Sequence, residues 1–280
     1  MCYAGRPMRR LSLLPNLITA FGLVCGLFTI FRMISLDASE PFYPVLVATT
    51  VLLLVGGLAD LADGAVARLM RAESEFGLFF DSLADAITFG VAPSVVVVKS
   101  LALDPHSLLF YLLLGGAIIY SSCGVLRLVR YNVSSLQKQR GEGVQTPSSH
   151  FTGLPITASA TTVVATNLVL YSLPLGLEQR ALILLSVLIV IGYFMISRWK
   201  FPSVKALKWR LSSFALVLTV ALTTVLSLYG LLHHFPIALA IIAWTYVITA
   251  WVLACIRIIA GRHSKTLAEF EPEPEEPEEA

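Results

Sequence analysis

Charged side chains are scarce in this sequence. Asp, Glu, Lys and Arg make up 14% of its 280 residues, whereas ordinary soluble domains carry roughly 25%. Hydrophobic residues make up 56%, and the mean hydropathy is +0.79. One soluble core cannot enclose this much apolar surface, so lipid must cover a large part of it. The composition therefore excludes an ordinary soluble enzyme or binding domain.

Cysteines are also few. The chain has four, and they form no CxxC pair: Cys2, Cys25, Cys123 and Cys255. Structural zinc sites and disulfide frameworks use cysteines at short or matched spacings. We therefore interpret all four as small apolar side chains. A fold stabilised by zinc or by disulfides is excluded.

Two further sequence patterns are missing: that of a cleaved signal peptide and that of a membrane β-barrel. The first apolar run is long, opens with Pro15-Asn16 and lacks a small-residue cleavage pattern, so we expect no cleaved signal peptide. The short alternating segments of a membrane β-barrel are missing too. The apolar runs are instead continuous, and several reach the roughly 20 residues that a helix needs to cross a bilayer.

These runs predict an all-α polytopic membrane protein with about eight transmembrane helices. The spans are expected at roughly residues 13–34, 43–69, 77–100, 107–130, 153–174, 179–198, 211–232 and 235–259.

The distribution of Lys and Arg predicts the orientation. With these spans, 17 of the 20 basic residues fall on the side that holds both termini, and only Arg32, Lys99 and Arg180 fall on the other. The positive-inside rule therefore places both termini in the cytoplasm. We expect membrane lipids, and no nucleic acid, to meet this basic face. The stretch from Glu269 to Ala280 carries seven Glu and no base, so we expect a disordered tail.

Four carboxylates break the apolar pattern of spans two and three: Asp60, Asp63, Asp81 and Asp85. A carboxylate at mid-membrane costs roughly 2.5–3.5 kcal/mol on insertion scales. Residues three or four apart share a helix face, so the two antiparallel helices can bring all four together near the cytoplasmic surface. A cluster retained at such a cost indicates a functional site.

Close carboxylates in a poorly solvated site need protonation or bound cations. Oxygen ligands favour hard divalent ions, Mg²⁺ or Mn²⁺ and also Ca²⁺, over zinc. Four Asp suffice for two ions, a common arrangement in phosphoryl transfer. Intramembrane acids also mark ion and proton pathways. From physics alone, transport and catalysis are equally good interpretations.

The spacing of these residues resembles a known signature. Asp60-x-x-Asp63-Gly64-x-x-Ala67-Arg68, eight residues, and Gly77-x-x-x-Asp81-x-x-x-Asp85 match every fixed position of the CDP-alcohol phosphotransferase family motif. The resemblance implies a six-helix core, typically in a homodimer, with the site open to the cytoplasm. It further implies that the four Asp hold the metals and that Asp85 also acts as the general base. Gly64, Ala67, Arg68 and Gly77 would line the nucleotide pocket, and Asn16 and Thr19 are added here as CDP-lipid contacts or helix-packing residues.

The resemblance divides the chain into four parts. These are a cytoplasmic segment (1–12), the catalytic core (13–210), two additional transmembrane helices (211–260) and the acidic cytoplasmic tail (261–280). The expected location is a prokaryotic cell (inner) membrane.

Features outside the signature resemble membrane-embedded phosphatidylserine synthases. They include Pro15 to Thr19, Phe89 to Pro93, Arg127 to Asn132, Phe151 to Pro155, and Ser203 to Lys205, whereas Thr157 departs from the proline expected there. The resemblance implies CDP-diacylglycerol and L-serine as substrates.

The serine carboxylate would need a charged partner. Arg127 and Arg130, on one helix face at the expected cytoplasmic end of span four, can bind a carboxylate, and Asn132 can add a hydrogen bond. The same arginines also suit a phosphate, so glycerol 3-phosphate and inositol phosphate remain alternative acceptors. Choline is a further alternative, whose pocket would favour an aromatic cage over arginine. A transporter or ion-binding protein remains the alternative outside the family.

Overall fold

The computed structural model describes residues 13–37, 40–70, 74–140, 151–197, 200–201 and 235–260. Within them the chain forms eight α-helices, one π-helical turn and two very short strands. In chain order these are α1 (Leu13–Ile34), α2 (Phe42–Leu69), α3 (Glu75–Asp85), the π turn (Ala86–Val91), α4 (Ala92–Ser100), α5 (Leu108–Arg140), β1 (Phe151–Thr152), α6 (Ile156–Ser172), α7 (Leu177–Ile196), β2 (Lys200–Phe201) and α8 (Phe235–Ala260).

The helices confirm the prediction of an all-α polytopic membrane protein. Six helical segments of the described chain are long and apolar enough to cross a bilayer, with α3, the π turn and α4 counting as one. The fifth predicted span corresponds to α6, which is apolar but has 17 residues. The seventh predicted span, at 211–232, lies outside the described residues, as do the segments 1–12 and 261–280.

Two helix boundaries differ from the sequence prediction. Helix α5 continues ten residues beyond the expected end at 130, because its last turns are polar but still favour helix, and hydropathy marks only the apolar part. Helix α6 begins at Ile156, after Pro155 and Gly153. Gly153 has a φ of +81°, and a Cβ there would lie 2.3 Å from the carbonyl oxygen of Met195. Only glycine fits this turn without strain.

The two short strands connect the start of α6 with the end of α7. Strand β1 precedes α6 and β2 follows α7, and they pair antiparallel with Phe151 opposite Phe201. The backbone N–H of Leu154 also donates to the carbonyl oxygen of Phe194 over 3.0 Å. The start of α6 is therefore fixed against the end of α7.

The core lies mainly between α5, α6, α7 and α8. Its largest fully buried side chains include Tyr120, Leu154, Leu184, Leu188 and Ile191. Helix α8 is joined to α6 by a hydrogen bond from the indole nitrogen of Trp244 to Thr166 Oγ1, 2.9 Å long. The last described helix is thus part of the packed bundle.

Helix α1 presents one face outward and one inward. Leu17, Phe21, Val24 and Phe28 recur every three or four residues and are more than half exposed. A face of large apolar side chains at this period is suited to lipid. The opposite face carries small residues and packs against α2.

An ion pair lies at the C-terminal end of α1. The Arg32 guanidinium donates to both carboxylate oxygens of Glu40, which follows the helix. This hydrogen bond lowers the pKa of the Glu40 carboxyl below its ordinary value. The pair holds the start of α2 beside the end of α1.

Candidate active site

Three of the four aspartates form one cluster. Asp60 and Asp63 lie on α2 and Asp81 lies on α3, and each offers a carboxylate oxygen within 4.8 Å of the others. Asp63 is 4% exposed. Helices α2 and α3 both pack against α1, which brings these residues together, and their spacing along each helix turns them toward the same space.

Helix α1 supplies a hydrogen-bond partner for Asp63. The Thr19 hydroxyl donates to Asp63 Oδ2 over 2.6 Å and is also 3.1 Å from the carbonyl oxygen of Pro15. Thr19, predicted as a contact for the CDP-lipid, therefore orients a carboxylate of the cluster. A hydrogen bond of this kind fixes which oxygen of Asp63 faces the ligand space.

Asp85 lies one turn beyond Asp81, at the end of α3. It lines a small inner cavity with Asp60, Asp63 and Asp81, and those three are its nearest acidic neighbours. Among the described residues, the set of oxygens within 4.8 Å of one another contains the three other acids and not Asp85. Asp85 therefore lies next to the three clustered acids, on the same inner cavity, but outside the set of mutually close oxygens.

The chemistry of the cluster suits a hard divalent ion. Three carboxylates this close repel one another strongly in a medium of low dielectric constant. Within the described part of the chain, the donors in this set are all carboxylate oxygens, which favour Mg²⁺, Mn²⁺ or Ca²⁺. The residues present therefore fit a divalent metal.

A cavity of about 490 Å³ opens beside the cluster. It is lined by all six residues that the sequence assigned to the CDP-lipid: Asn16, Thr19, Gly64, Ala67, Arg68 and Gly77. The structure thus brings together residues from α1, α2 and α3. It adds Ser74, Glu75, Leu78, Tyr131 and Ser135, which sequence reasoning did not select.

Gly77 has a specific steric reason to be glycine. A Cβ at this position would lie 3.1 Å from Ser74 Oγ and 3.3 Å from Asn16 Oδ1. The Ser74 hydroxyl caps α3 by accepting from the Gly77 N–H over 3.0 Å. The small residue lets α1 and the start of α3 approach at the wall of the cavity.

A second cavity of about 280 Å³ adjoins the first. The two share Asp63, Gly64, Arg68, Asp81 and Tyr131 among their lining residues. The second cavity is also lined by Asp85 and Arg127, and by the start of α6. The acidic cluster thus lies where the two cavities meet.

Arg127 is the buried arginine of the second cavity, which the exposed Arg68 also lines. Arg127 is 9% exposed, and its Nε has no hydrogen-bond partner among the described residues. Its charged and titratable neighbours are Asp85, Arg130, Tyr131 and Tyr246, the last from α8. A buried guanidinium with unused donor capacity is suited to bind an anion.

The two residues predicted to act with Arg127 have different surroundings. Arg130 donates to the carbonyl oxygens of Ile196 and Ser197 over 3.0 and 3.4 Å, at the end of α7. Asn132 accepts from the Ser82 hydroxyl over 2.9 Å. Neither lines the second cavity. Because α5 continues beyond 130, these side chains project from different sides of one helix.

An acidic cluster between two adjoining cavities, within a bundle of apolar helices, is the arrangement expected of a membrane-embedded protein that binds a divalent metal and a polar ligand. Residues 12–196 match the family model described as CDP-alcohol phosphatidyltransferase. The chain belongs to this family, whose members are phosphotransferases that depend on divalent metals.

Named relatives refine this assignment. A CDP-diacylglycerol–serine O-phosphatidyltransferase of Helicobacter pylori is 32% identical over 262 residues, covering 92% of this chain and 98% of the relative. A Bacillus subtilis protein of the same name is 30% identical over 195 residues, covering 70% and 93%. An archaetidylserine synthase of Methanothermobacter thermautotrophicus is 37% identical over 152 residues, covering 54% and 55%.

Proposed function

We propose that this integral membrane enzyme transfers a phosphatidyl group from CDP-diacylglycerol to L-serine, giving phosphatidylserine and CMP. The observation that carries the proposal is the position of buried Arg127. It lies in a second cavity that meets the larger one at the acidic cluster. The names of the relatives support serine as the acceptor.

The larger cavity is the proposed site of the CDP group. The Arg68 guanidinium would pair with phosphate oxygens. Gly64, Ala67 and Gly77 carry no bulky side chain, so a nucleotide can approach the backbone. Asn16 adds an amide at the same wall, and Thr19 acts mainly through Asp63.

The acidic cluster is the proposed metal site. Asp60, Asp63 and Asp81 would hold Mg²⁺ or Mn²⁺, and Asp85 would contribute if two ions bind together. Bound there, the ions would neutralise the pyrophosphate and acidify the serine hydroxyl.

Asp85 is the proposed general base. Its carboxylate lines both the inner cavity with the acids and the second cavity with Arg127. It would accept the proton of the serine hydroxyl as the oxygen attacks the β-phosphorus of the CDP-lipid. The new oxygen–phosphorus bond forms as the bond to the CMP oxygen breaks, and CMP leaves from the larger cavity.

Arg127 would bind the serine carboxylate. A bidentate pair would orient serine with its hydroxyl toward Asp85, and the burial of Arg127 would strengthen it. We propose that Arg130 and Asn132 support this residue indirectly. Arg130 fixes α5 against α7, and Asn132 fixes it against α3, beside Asp81.

We further propose that the enzyme is a homodimer in a prokaryotic inner membrane, with its site and both termini cytoplasmic. The distribution of 17 basic residues against 3 supports the orientation. The resemblance to the family supports the dimer. Light scattering of the purified protein in detergent tests the dimer, and a monomeric mass would contradict it.

CMP release by purified protein tests the reaction. CDP-diacylglycerol and Mn²⁺ are supplied with serine, glycerol 3-phosphate, inositol phosphate or choline. Of the four alcohols, we expect only serine to support CMP release. EDTA treatment should abolish this release, and added Mn²⁺ should restore it. Asp85→Asn should lower turnover by at least a hundredfold. Asp104→Asn, in the loop before α5, is the matched control and should leave turnover unchanged.

The outcomes separate the alternatives. Release with another alcohol would retain the family and overturn serine. Release by Asp85→Asn at the wild-type rate would overturn its role as the base. Folded protein that releases no CMP with any of the four alcohols would favour the transport or ion-binding interpretation.

A further inference from the structure

The helix that carries Asp81 and Asp85 changes its winding directly after Asp85. Residues Ala86–Val91 form a π turn before α4 resumes the α-helical winding. A π turn takes one more residue per hydrogen-bonded ring than an α-helix, and such turns occur frequently at functional sites. The π turn therefore changes the direction in which the side chains of α4 point relative to those of α3.

Thr88, in the middle of this turn, fits into a recess between α1 and α2. Its side chain is 2% exposed, and its hydroxyl donates to the carbonyl oxygen of Gly22 over 3.3 Å. A Cβ at Gly26 would lie 2.5 Å from Thr88 Oγ1 and 2.7 Å from its Cα. A Cβ at Gly56 would lie 3.2 Å from Thr88 Cγ2. We name the recess formed by Gly22, Gly26 and Gly56 the glycine socket.

The other side of the π turn is held by α5. The Tyr120 hydroxyl donates to the carbonyl oxygen of Phe89 over 3.0 Å, and the Ser121 hydroxyl donates to that of Gly90 over 2.9 Å. The carbonyl groups that irregular winding exposes therefore have partners. The turn is fixed between α1 and α2 on one side and α5 on the other.

The glycine socket adjoins the acids. Gly22, Gly56 and Thr88 line the same small inner cavity as the four aspartates. Asp85 precedes Thr88 by three residues, and both side chains line this cavity. The contacts of Thr88 in the socket therefore fix the backbone of the π turn that directly follows Asp85.

We propose that Thr88, seated in the glycine socket, is a positioning residue for Asp85 and sets the angle at which the proposed base meets the acceptor hydroxyl. The proposal rests on the function proposed above for Asp85. Thr88 acts through the backbone of the π turn. Misplacement of a reacting group by about 1 Å can lower turnover by about a hundredfold.

Three variants distinguish the effect of the Thr88 hydroxyl from the effect of a side chain that only fills the glycine socket. Thr88→Val has nearly the same shape and cannot donate to Gly22, whereas Thr88→Ser keeps the donor. Thr49→Val is the matched control, because Thr49 is buried in α2 and donates only within its own helix, to Val45 and Leu46. We expect Thr88→Val to lower kcat about tenfold to a hundredfold. The KM values for serine and CDP-diacylglycerol should stay within about twofold, and Thr88→Ser should recover most of the turnover.

A second pair of variants tests the socket from the other side. Gly26→Ala places a methyl group against Thr88, and we expect the same loss of kcat. Gly115→Ala is its control, since a Cβ there meets no atom within 4 Å. Thermal unfolding and Mn²⁺ binding, followed by electron paramagnetic resonance, are measured for each folded variant. Thr88→Val should keep the wild-type affinity for Mn²⁺, because the three clustered acids stay in place.

Wild-type kcat in Thr88→Val would overturn the proposal. So would a loss of kcat that Thr88→Ser shares and that scales with the lowered melting temperature, since that pattern indicates general destabilisation. Turnover is measured with all four alcohols. If the wild-type protein uses an alcohol other than serine, the serine proposal fails, while the ratio of variant to wild-type turnover on that alcohol still tests Thr88.

Discussion

Arg127 and Arg130 are three residues apart on one helix, but their surroundings differ. Arg127 is buried beside Asp85 in the second cavity, and its Nε has no hydrogen-bond partner among the described residues. Arg130 donates to carbonyl groups at the end of α7. A cation there completes the unsatisfied end of a helix. One arginine is therefore available to a ligand, and the other supports the fold.

Replacing Arg127 should affect serine selectively. Arg127→Ala should raise the KM for serine by about ten- to a hundredfold, because a charged hydrogen-bonded pair contributes about 1.5–3 kcal/mol. The KM for CDP-diacylglycerol should change by less than about threefold. Steady-state titration of each substrate measures both values. Equal losses on the two substrates would contradict a contact with the serine carboxylate.

Replacing Arg130 should affect stability instead. Arg130→Gln loses charged donors to the α7 carbonyl groups and should lower the free energy of unfolding by about 1–2 kcal/mol. Thermal unfolding in detergent measures this loss relative to wild-type protein. The KM for serine should stay within about threefold. A large rise in that KM without loss of stability would place Arg130 at the substrate.

Thr19 should tune the metal site through Asp63. Thr19→Val keeps the shape and removes the 2.6 Å hydrogen bond. Loss of a partner behind a metal ligand typically weakens metal affinity by about 10–100-fold. The Mn²⁺ concentration for half-maximal CMP release should rise by that factor, while Thr29→Val, which loses only a bond within α1, should not change it. An unchanged requirement would mean that Asp63 is not a ligand.

At the scale of helices, α8 lies outside the segment that matches the family model yet reaches the site. The match ends at residue 196, and α8 begins at Phe235. Trp244 joins α8 to α6, and Tyr246 is close enough to Arg127 for the two side chains to interact electrostatically. The family core thus provides the acids, and an added helix contributes to the surroundings of the cation.

This contact predicts that α8 influences the acceptor site. Tyr246→Phe removes one hydroxyl near Arg127 and should raise the KM for serine several-fold, with little change for CDP-diacylglycerol, because the hydroxyl contributes to the electrostatic surroundings of this buried guanidinium. Tyr193→Phe, at an exposed position of α7, is the control. Parallel titrations of both substrates test the prediction. A KM for serine equal to that of the control would show that α8 only supports the bundle.

For the whole molecule, the two ends of the helix bundle differ in their charged residues and cavities. The acids, both cavities and the paired strands lie at one end of the bundle, the end where most basic residues of the sequence are expected. At the other end are Arg32, Glu40 and Arg180, together with Asp37, Lys99, Asp104 and Glu178. This separation is what a bilayer with a basic cytoplasmic face requires.

Cysteine labelling tests the orientation. In a background with Ser at positions 2 and 255, the remaining Cys25 and Cys123 are buried. His106→Cys, exposed before α5, should react with a membrane-impermeant maleimide in intact cells. Ser134→Cys, exposed near the other end of α5, should react only after permeabilisation. The reverse pattern would invert the proposed topology.

The sequence by itself determined the fold class, the approximate spans and the site formed by α2 and α3. Lipid exposure requires continuous apolar runs, and the spacing of Asp60, Asp63, Asp81 and Asp85 reflects local helix geometry, which one sequence window contains. Gly64, Ala67, Arg68 and Gly77, four of the residues assigned to the CDP-lipid, lie in the same sequence window and line one cavity. Such features depend on neighbours along the chain.

The tertiary structure alone decided which residues meet across helices. Nothing local predicts that α1 and α2 leave a glycine socket, that the winding after Asp85 is a π turn, or that Tyr246 approaches Arg127. Helix packing in lipid depends on close contact between small residues far apart in the sequence, and one added methyl group can forbid it. Nor can charge alone distinguish Arg127 from Arg130, because each side chain's role depends on the helix it faces.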